Sequence, residues 1–290
     1  MNSRMLALYG LKWNPFTPNV PTEALHVTPR LESFCWRVQQ LAGDGGFALV
    51  TGTPGCGKSA TLRILSASLA TQRDVTVGVI SRPQASIADF YREMGELFGV
   101  ELRPHNRFAG AKILRQRWQA HIQGTLSRPV LVVDVMPEAC VPHDAQEMQS
   151  SVLAALRLLT SADLDSNILL TIVLAGDGRL TDRLRSDEFL PLASRVRVRL
   201  AIERASPDDL KDCLRHALQQ AGAPTLMTQE VIGAICDHAQ GNLRTLMIMA
   251  NELLEAAAQR EARQIDETLF FEVSAMPAAN EAKAASRRRR

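Results

Sequence analysis

Gly52-Thr53-Pro54-Gly55-Cys56-Gly57-Lys58-Ser59 fills the spacing G-x-x-x-x-G-K-[ST] without a departure. The residues on either side suit that pattern. Phe47 to Thr51 is a short apolar run of the kind that makes a buried strand, and Ala60 to Ala70 places Leu62, Leu65 and Leu69 at helical spacing. A strand, a glycine-rich turn and a helix in that order aim a nest of backbone N–H groups at a polyanion, at the positive end of a helix dipole. The glycines let the backbone pass close to phosphate oxygens, where a Cβ would intrude. The pattern therefore predicts that Gly52, Thr53, Pro54, Gly55, Cys56, Gly57, Lys58, Ser59 and Ala60 hold the phosphates of a nucleoside triphosphate. Lys58 pairs with the β- and γ-phosphates, and the Ser59 hydroxyl completes a Mg²⁺ shell. A chance match in a glycine-rich loop is the competing explanation, and the flanking strand and helix argue against it.

At 290 residues the chain has room for one large core and a smaller domain. A hydrophobic content of 46% with 22% charged residues excludes wholesale disorder. The net charge of +2 does not by itself point to nucleic acid, although Arg287 to Arg290 end the sequence in a basic run. The 5 cysteines are scattered and include no C-x-x-C pair, which favours reduced thiols and a cytoplasmic protein. Cys140 and His143 have a ligand-like spacing but no second pair, so zinc is not expected. Neither a signal peptide nor a membrane span is predicted.

Residues 1–45 read as an N-terminal segment packing on the core, with a turn at Asn14-Pro15-Phe16 and a helix from Pro29 to Leu41. Its aromatic residues suit either the wall of an adenine pocket or simple packing. Beyond the phosphate loop, strands and helices alternate through residues 46–204. Strands are predicted at Val75–Ile80, Val130–Asp134, Ile168–Ala175 and Val196–Leu200, and helices from Ser86, from Asn106 and over Ala145–Leu159. Near-continuous apolar strands alternating with helices imply a parallel sheet covered on both faces. From Ser206-Pro207-Asp208-Asp209 the pattern becomes purely helical, giving a small helical domain over 205–274. Residues 275–290 read as a disordered basic tail.

Asp134 ends an apolar strand, where a carboxylate can hold Mg²⁺ through water opposite Ser59. In Ser194-Arg195-Val196-Arg197-Val198-Arg199 the alternation puts Arg197 and Arg199 on one strand face, with Arg195 at the preceding turn. Arg195 is a candidate to supply charge to a neighbouring subunit's γ-phosphate, against the plainer reading of a charged strand edge. Arg244 begins a helix, where the dipole disfavours a cation, so a functional reason is favoured: it can report the γ-phosphate. Asp177, in Gly176-Asp177-Gly178, is either a polar sensor of the γ-phosphate or a turn residue.

These parts together resemble the AAA+ ATPases, and more narrowly the general-secretion-protein-A type, which includes helper ATPases of DNA transposition. The likeness rests on Leu8-Tyr9-Gly10-Leu11 with Asn14-Pro15-Phe16, the phosphate loop, Val130 to Asp134, Leu174-Ala175-Gly176, Ser194-Arg195 and Gly241-Asn242-Leu243-Arg244. It implies a P-loop NTPase fold: a three-layer α/β/α domain whose parallel sheet has five strands in the order 5-1-4-3-2, plus a C-terminal helical lid. It further implies ATP and Mg²⁺ as ligands, Lys58, Ser59 and Asp134 at the phosphates and metal, Arg195 as a finger in trans within a homo-oligomer, and Arg244 as second sensor.

One departure bears on turnover. The family follows this aspartate with a glutamate that polarises the attacking water, whereas here Val135 follows. Asp144-Ala145-Gln146-Glu147-Met148 looks like the displaced remainder of that motif after an insertion of about ten residues. Glu138 is the nearest replacement base, and Asp144 is another. The expectation is intact nucleotide binding with slow or absent hydrolysis; the alternative is that Glu138 bends back into place.

Two jobs fit. The first is a transposition helper that oligomerises with ATP on duplex DNA and recruits a transposase or integrase. Arg107, Lys112, Arg115, Arg117 and the terminal arginines are candidates for phosphate contacts. A secretion-branch member is expected to carry a membrane segment and a peptidoglycan-binding region, and neither is read here. The second is a nucleotide-controlled regulatory or secretion-related switch that acts on protein partners without DNA.

Overall fold

The computed structural model describes residues 2–80, 87–101, 109–134, 152–154, 156, 161–162, 167–168 and 170–275. Contacts group the chain into two units, Val27–Glu203 and, together, Met1–His26 with the residues from Arg204 onward.

After α1 (Asn2–Tyr9), which belongs to the other unit, the first unit opens with α2 (Pro29–Asp44). The Thr28 hydroxyl accepts from Leu31 N and proline occupies the first helical position, so both start signals agree. Then follow β1 (Gly46–Gly52), α3 (Lys58–Ala70), β2 (Val75–Ile80), α4 (Ile87–Phe98), α5 (Ala109–Thr125), β3 (Arg128–Asp134), β4 (Thr171–Gly176), α6 (Gly178–Leu184), α7 (Leu190–Ala193) and β5 (Val196–Ile202). A two-residue antiparallel ladder, Ser161–Ala162 with Asn167–Ile168, stands apart from the main sheet. The sheet is five-stranded, in the order β2-β3-β4-β1-β5, and every pairing in it is parallel. That is the expected 5-1-4-3-2 order read from the opposite edge.

Both faces are apolar because alternate residues feed two cores. Phe47, Leu49, Leu131, Val133 and Leu174 pack with Phe90 and Met94 of α4 and Trp118 of α5. Ala48, Val50, Val130, Val132 and Val173 pack with Phe34 and Val38 of α2 and Leu65 and Leu69 of α3. The fourth strand begins at Thr171 instead of Ile168, because Thr171 is the residue level with Gly46, where β1 starts. An apolar run reports burial and is silent on where a ladder ends.

The second unit comprises α1 (Asn2–Tyr9), a 3₁₀ turn at Thr22–Ala24, α8 (Pro207–Ala221), α9 (Gln229–Ala239), α10 (Leu243–Gln259) and α11 (Glu267–Ala275). Leu210, Leu214, Ile232, Ile235, Leu246, Leu253 and Phe270 build its core. The N-terminal segment expected over 1–45 is divided: α2 lies in the α/β unit, while residues to His26 join the helices. Met5, Leu11 and Phe16 are buried in the helical core, Lys12 N donates to Ala221 O at 2.9 Å, and Tyr9 Oη donates to Ala262 O at 2.9 Å. The reason lies in long-range pairing, since an apolar residue in the sequence does not say which core receives it. The helix expected from Asn106 is α5, described from Ala109; its start and cap, the cap at Ser86 and most of Ala145–Leu159 lie outside the described residues, as does the tail over 276–290. Among the described residues no helix is long and apolar enough to cross a membrane.

Candidate nucleotide site

The C-terminal ends of the parallel strands gather the candidate residues. Gly52 closes β1 and is level with Ile202 on β5, while Thr51 is level with Gly176 on β4. Asp134 closes β3 level with Ala175, which in turn is level with Val50. The phosphate loop and Asp134 thus share one edge of the sheet, two strand spacings or about 10 Å apart.

Within the loop the glycines have separate duties. Gly55 and Gly57 have φ of 83° and 101°, a region that a Cβ disfavours. Gly52 is needed for space: a Cβ there would stand 2.4 Å from Cys56 Sγ and 2.7 Å from Ile202 O. The constraint at Gly52 is thus the packing of the chain itself, in addition to any approach by phosphate. Ile202 lies beyond the strand end expected from the sequence, and nothing in the residue pattern marks it as the wall of the loop.

Helix α3 starts at Lys58, and its N-cap is Gly57, which has no side chain to cap the first turn. The N-terminal N–H groups are therefore turned toward whatever the loop holds. Lys58 is buried, and its ammonium donates to Gly52 O at 2.8 Å and Thr53 O at 3.0 Å. Ser59, in the same first turn, is exposed.

Asp134 is half-buried, and its Oδ1 is sealed from solvent with no hydrogen-bond partner among the described residues. Burial raises its pKa above the ordinary carboxylate value, and the charge of Lys58 opposes that rise. A buried carboxylate oxygen without a donor, held near an ammonium, is suited to a hard cation. The donor set, a carboxylate and a helix-start hydroxyl beside a phosphate loop, fits Mg²⁺ carried in with a nucleotide. Among the described residues no cluster of three His, Cys, Asp or Glu stands ready to hold a metal alone.

The remaining candidates separate. Asp177 follows β4 at the same edge and caps α6: its Oδ1 accepts from Arg179 N at 2.9 Å and its Oδ2 from Arg179 Nε at 3.1 Å. Arg195 precedes β5, at the opposite edge. Val196 is level with Phe47 and Ile202 with Gly52, so Arg195 stands about 20 Å along the strand direction from the phosphate loop. Arg197 and Arg199 are exposed on one face of the edge strand, and Arg197 reaches Asp44 at 3.9 Å. Arg244 is exposed at the start of α10 in the helical unit, where Asn242 caps the helix by accepting from Arg244 N at 3.0 Å and Thr245 N at 3.2 Å. Glu138 and Asp144 lie outside the described residues, as do Arg107 and the side chains of Lys112 and Arg115. Arg117 is exposed on α5 and donates to Glu101 O at 3.1 Å. Cys35, Cys56, Cys213 and Cys236 are free thiols, and burial pushes those of Cys35, Cys213 and Cys236 up to about 11.

Comparison with known proteins agrees with this geometry. Residues 41–184 match the family model described as an AAA domain, a span that runs from the end of α2 through the phosphate loop, Asp134 and α6. Together with the sheet order and the loop, that match is decisive for the fold. The α/β unit has the AAA+ fold.

Solved structures with this architecture include the Aeropyrum pernix ORC2 protein in its ADPNP–ADP complexes, at TM-score 0.67 and 13% identity over 91% of this chain and 71% of that one. The Aeropyrum pernix ORC1 protein in complex with DNA aligns at TM-score 0.62 and 15% identity, covering 90% of this chain and 68% of its own. In sequence, general secretion pathway protein A of Aeromonas hydrophila is 28% identical over 262 residues, 89% of this chain and 45% of that protein. The chain therefore spans less than half the length of that relative.

Proposed function

We propose that this AAA+ chain is a nucleotide-operated helper ATPase of DNA transposition, in which bound Mg·ATP joins copies of the chain on duplex DNA and the joined copies recruit a transposase or integrase in the cytoplasm. The observation that carries the nucleotide reading is the buried Asp134 oxygen, without a partner among the described residues, on the sheet edge shared with the phosphate loop and near the charge of Lys58. Backbone N–H groups of Gly52–Ala60, Pro54 excepted, would hold the phosphates, Lys58 would pair with them in place of the carbonyls of Gly52 and Thr53, and Ser59 with Asp134 would hold Mg²⁺. When bound, Mg·ATP supplies a γ-phosphoryl group whose presence or loss two arginines report. Arg195 stands too far from its own phosphate loop to serve it, which supports action on a neighbouring copy. Arg244 reads the same phosphate from the helical unit. Val135 in place of a glutamate supports slow hydrolysis, with Glu138 the nearest substitute base and Asp177 a secondary polar group beside the site.

Two facts support the DNA job: basic side chains such as the exposed Arg117, and the likeness of the fold to a protein solved in complex with DNA. The sequence likeness to general secretion pathway protein A favours a second reading, a secretion-related switch acting on protein partners. Filter binding of non-specific duplex, with and without a non-hydrolysable ATP analogue, separates the two. Analogue-dependent retention is expected, with a log–log salt slope of about −4 to −5 if five or so phosphates are contacted. Failure to bind duplex in either state removes the DNA job and leaves the switch. Turnover is tested separately by deleting Val135 to Asp144 and placing glutamate after Asp134. A rise in ATPase rate is expected, and no gain would remove the insertion argument.

A further inference from the structure

β5 is an outer strand: within the sheet it pairs with β1 and, among the described residues, with no other strand. An outer strand of 7 residues is long enough to collect a further strand through its unpaired backbone groups. β5 is not built for that. Phe47 is level with Val196 and Ala48 with Val198, so Arg197 is an extra residue that β1 does not oppose. A bulge of this kind breaks the regular row of donors and acceptors that a docking strand needs. What the strand offers outward is side chains.

Arg197 and Arg199 are both exposed, while Val198 and Leu200 between and beyond them are buried in the core that α2 and α3 share with the sheet. Little in the fold neutralises the two charges. Arg197 Nη1 stands 3.9 Å from Asp44 Oδ2, and both side chains of that pair are more than half exposed, so water screens it. Arg199 Nη2 donates to Ala193 O at 3.3 Å, a neutral partner that leaves the charge standing. Two residues apart on an extended strand, the arginines start about 6–7 Å from each other. Phosphates of one DNA strand advance about 3.4 Å along the duplex axis, so both side chains fall within reach of one phosphate row. The planar guanidinium fork also suits phosphate oxygens. An acidic peptide has the right charge, but its usual way onto a strand is backbone pairing, which the bulge opposes.

We propose that Arg197 and Arg199 form a contact face of the AAA+ unit for the phosphate backbone of duplex DNA, distinct from the basic side of α5. This rests on the DNA reading above and gives the duplex a place on the chain. Contacts that end on phosphate carry no sequence preference. The plainer role for such arginines is to guard an open edge against another chain. Charge reversal separates the two roles, because glutamate guards an edge as arginine does but repels phosphate.

The test is filter binding of non-specific duplex by the full chain over a salt series, with a non-hydrolysable ATP analogue present. Arg197→Gln with Arg199→Gln is expected to weaken binding at least about tenfold at 0.1 M salt and to make the log–log slope shallower by about 1.8, the loss of two phosphate contacts. Arg199→Glu alone, which leaves the Asp44 pair intact and serves if the glutamine pair does not fold, should also weaken binding about tenfold or more. Arg197→Lys with Arg199→Lys should keep the slope, since a point charge still displaces counterions. Light scattering without DNA should show nucleotide-dependent assembly unchanged in every variant. If the natural chain retains no duplex, the DNA reading fails and this face with it. If the natural chain binds while Arg199→Glu or the glutamine pair binds equally well, the face alone is overturned and the arginines are guards. Loss of assembly without DNA assigns them to contact between copies, and displacement of the duplex by polyglutamate at matched charge assigns them to an acidic protein; either result overturns the DNA face.

Discussion

Lys58 and Asp134 are readable in the sequence as residue types at a spacing, but their energetics come from burial. Lys58 is held by two backbone carbonyls, so Lys58→Ala removes a phosphate partner while leaving those carbonyls room to find water. The expected outcome is a loss of Mg·ATP affinity of about a hundredfold, the equivalent of one or two charge-assisted hydrogen bonds, with the far-ultraviolet dichroism unchanged. Asp134 behaves differently. Its folded pKa is raised, so the folded chain holds that proton more tightly than the unfolded chain does. Stability from this group therefore falls as pH rises from the ordinary carboxylate value through the raised one, and the penalty persists at neutral pH. Asp134→Asn is thus expected to raise the melting temperature of nucleotide-free protein at pH 7, by roughly 1–3 °C. The same substitution should abolish the Mg²⁺ dependence of nucleotide binding. A lower melting temperature would mean that the carboxylate is satisfied in a way its buried oxygen does not suggest.

Helix α8 begins on a capping box that the sequence announces as Ser206-Pro207-Asp208-Asp209. Ser206 Oγ accepts from Asp209 N at 3.1 Å, and Asp209 Oδ2 accepts from Ser206 N at 3.1 Å. The Ser206 hydroxyl also donates to Asp209 Oδ2 at 2.6 Å, and that bond first, with the one from Ser206 N second, lowers the Asp209 pKa. Stabilisation of this kind is present above the ordinary carboxylate pKa and lost as pH falls through the lowered one. Ser206→Ala should cost about 1 kcal/mol at pH 7, and thermal melts below about pH 4 should show the gap to the natural chain closing. A gap that widens in acid would contradict the box. Strand elements were equally open to sequence reading: β1 and β3, buried on both sides, and the β-branched edge strand β2 fall close to the runs that predict them. β4 was not, because its start is fixed by pairing with Gly46, and pairing leaves no local trace.

Across the whole molecule, the strand register sets what Arg195 can do. It precedes β5 at the sheet edge remote from the phosphate loop of its own chain, the placement that the proposed action on a second copy calls for. Arg195→Ala should therefore leave Mg·ATP affinity of the isolated chain within about twofold while removing nucleotide-dependent assembly, read by light scattering. Mixing it with Lys58→Ala chains should restore assembly, because one variant lends an intact phosphate loop and the other an intact arginine. If Arg195→Ala instead abolishes nucleotide binding by the lone chain, action in trans is wrong.

The phosphate loop, the apolar strands and the helix caps are local devices, each set by a few neighbouring residues, and the residue order alone carried them. The sheet order was legible only through a resemblance, since the spacing of strands does not say which of them pair. Three matters needed the folded chain. Met5, Leu11 and Phe16 serve the helical core, Asp134 keeps a carboxylate oxygen without a donor among the described residues, and Gly241 closes on Arg204–Ala205. Each depends on groups brought together from distant parts of the chain, and burial, desolvation and close backbone approach exist only once those parts have met.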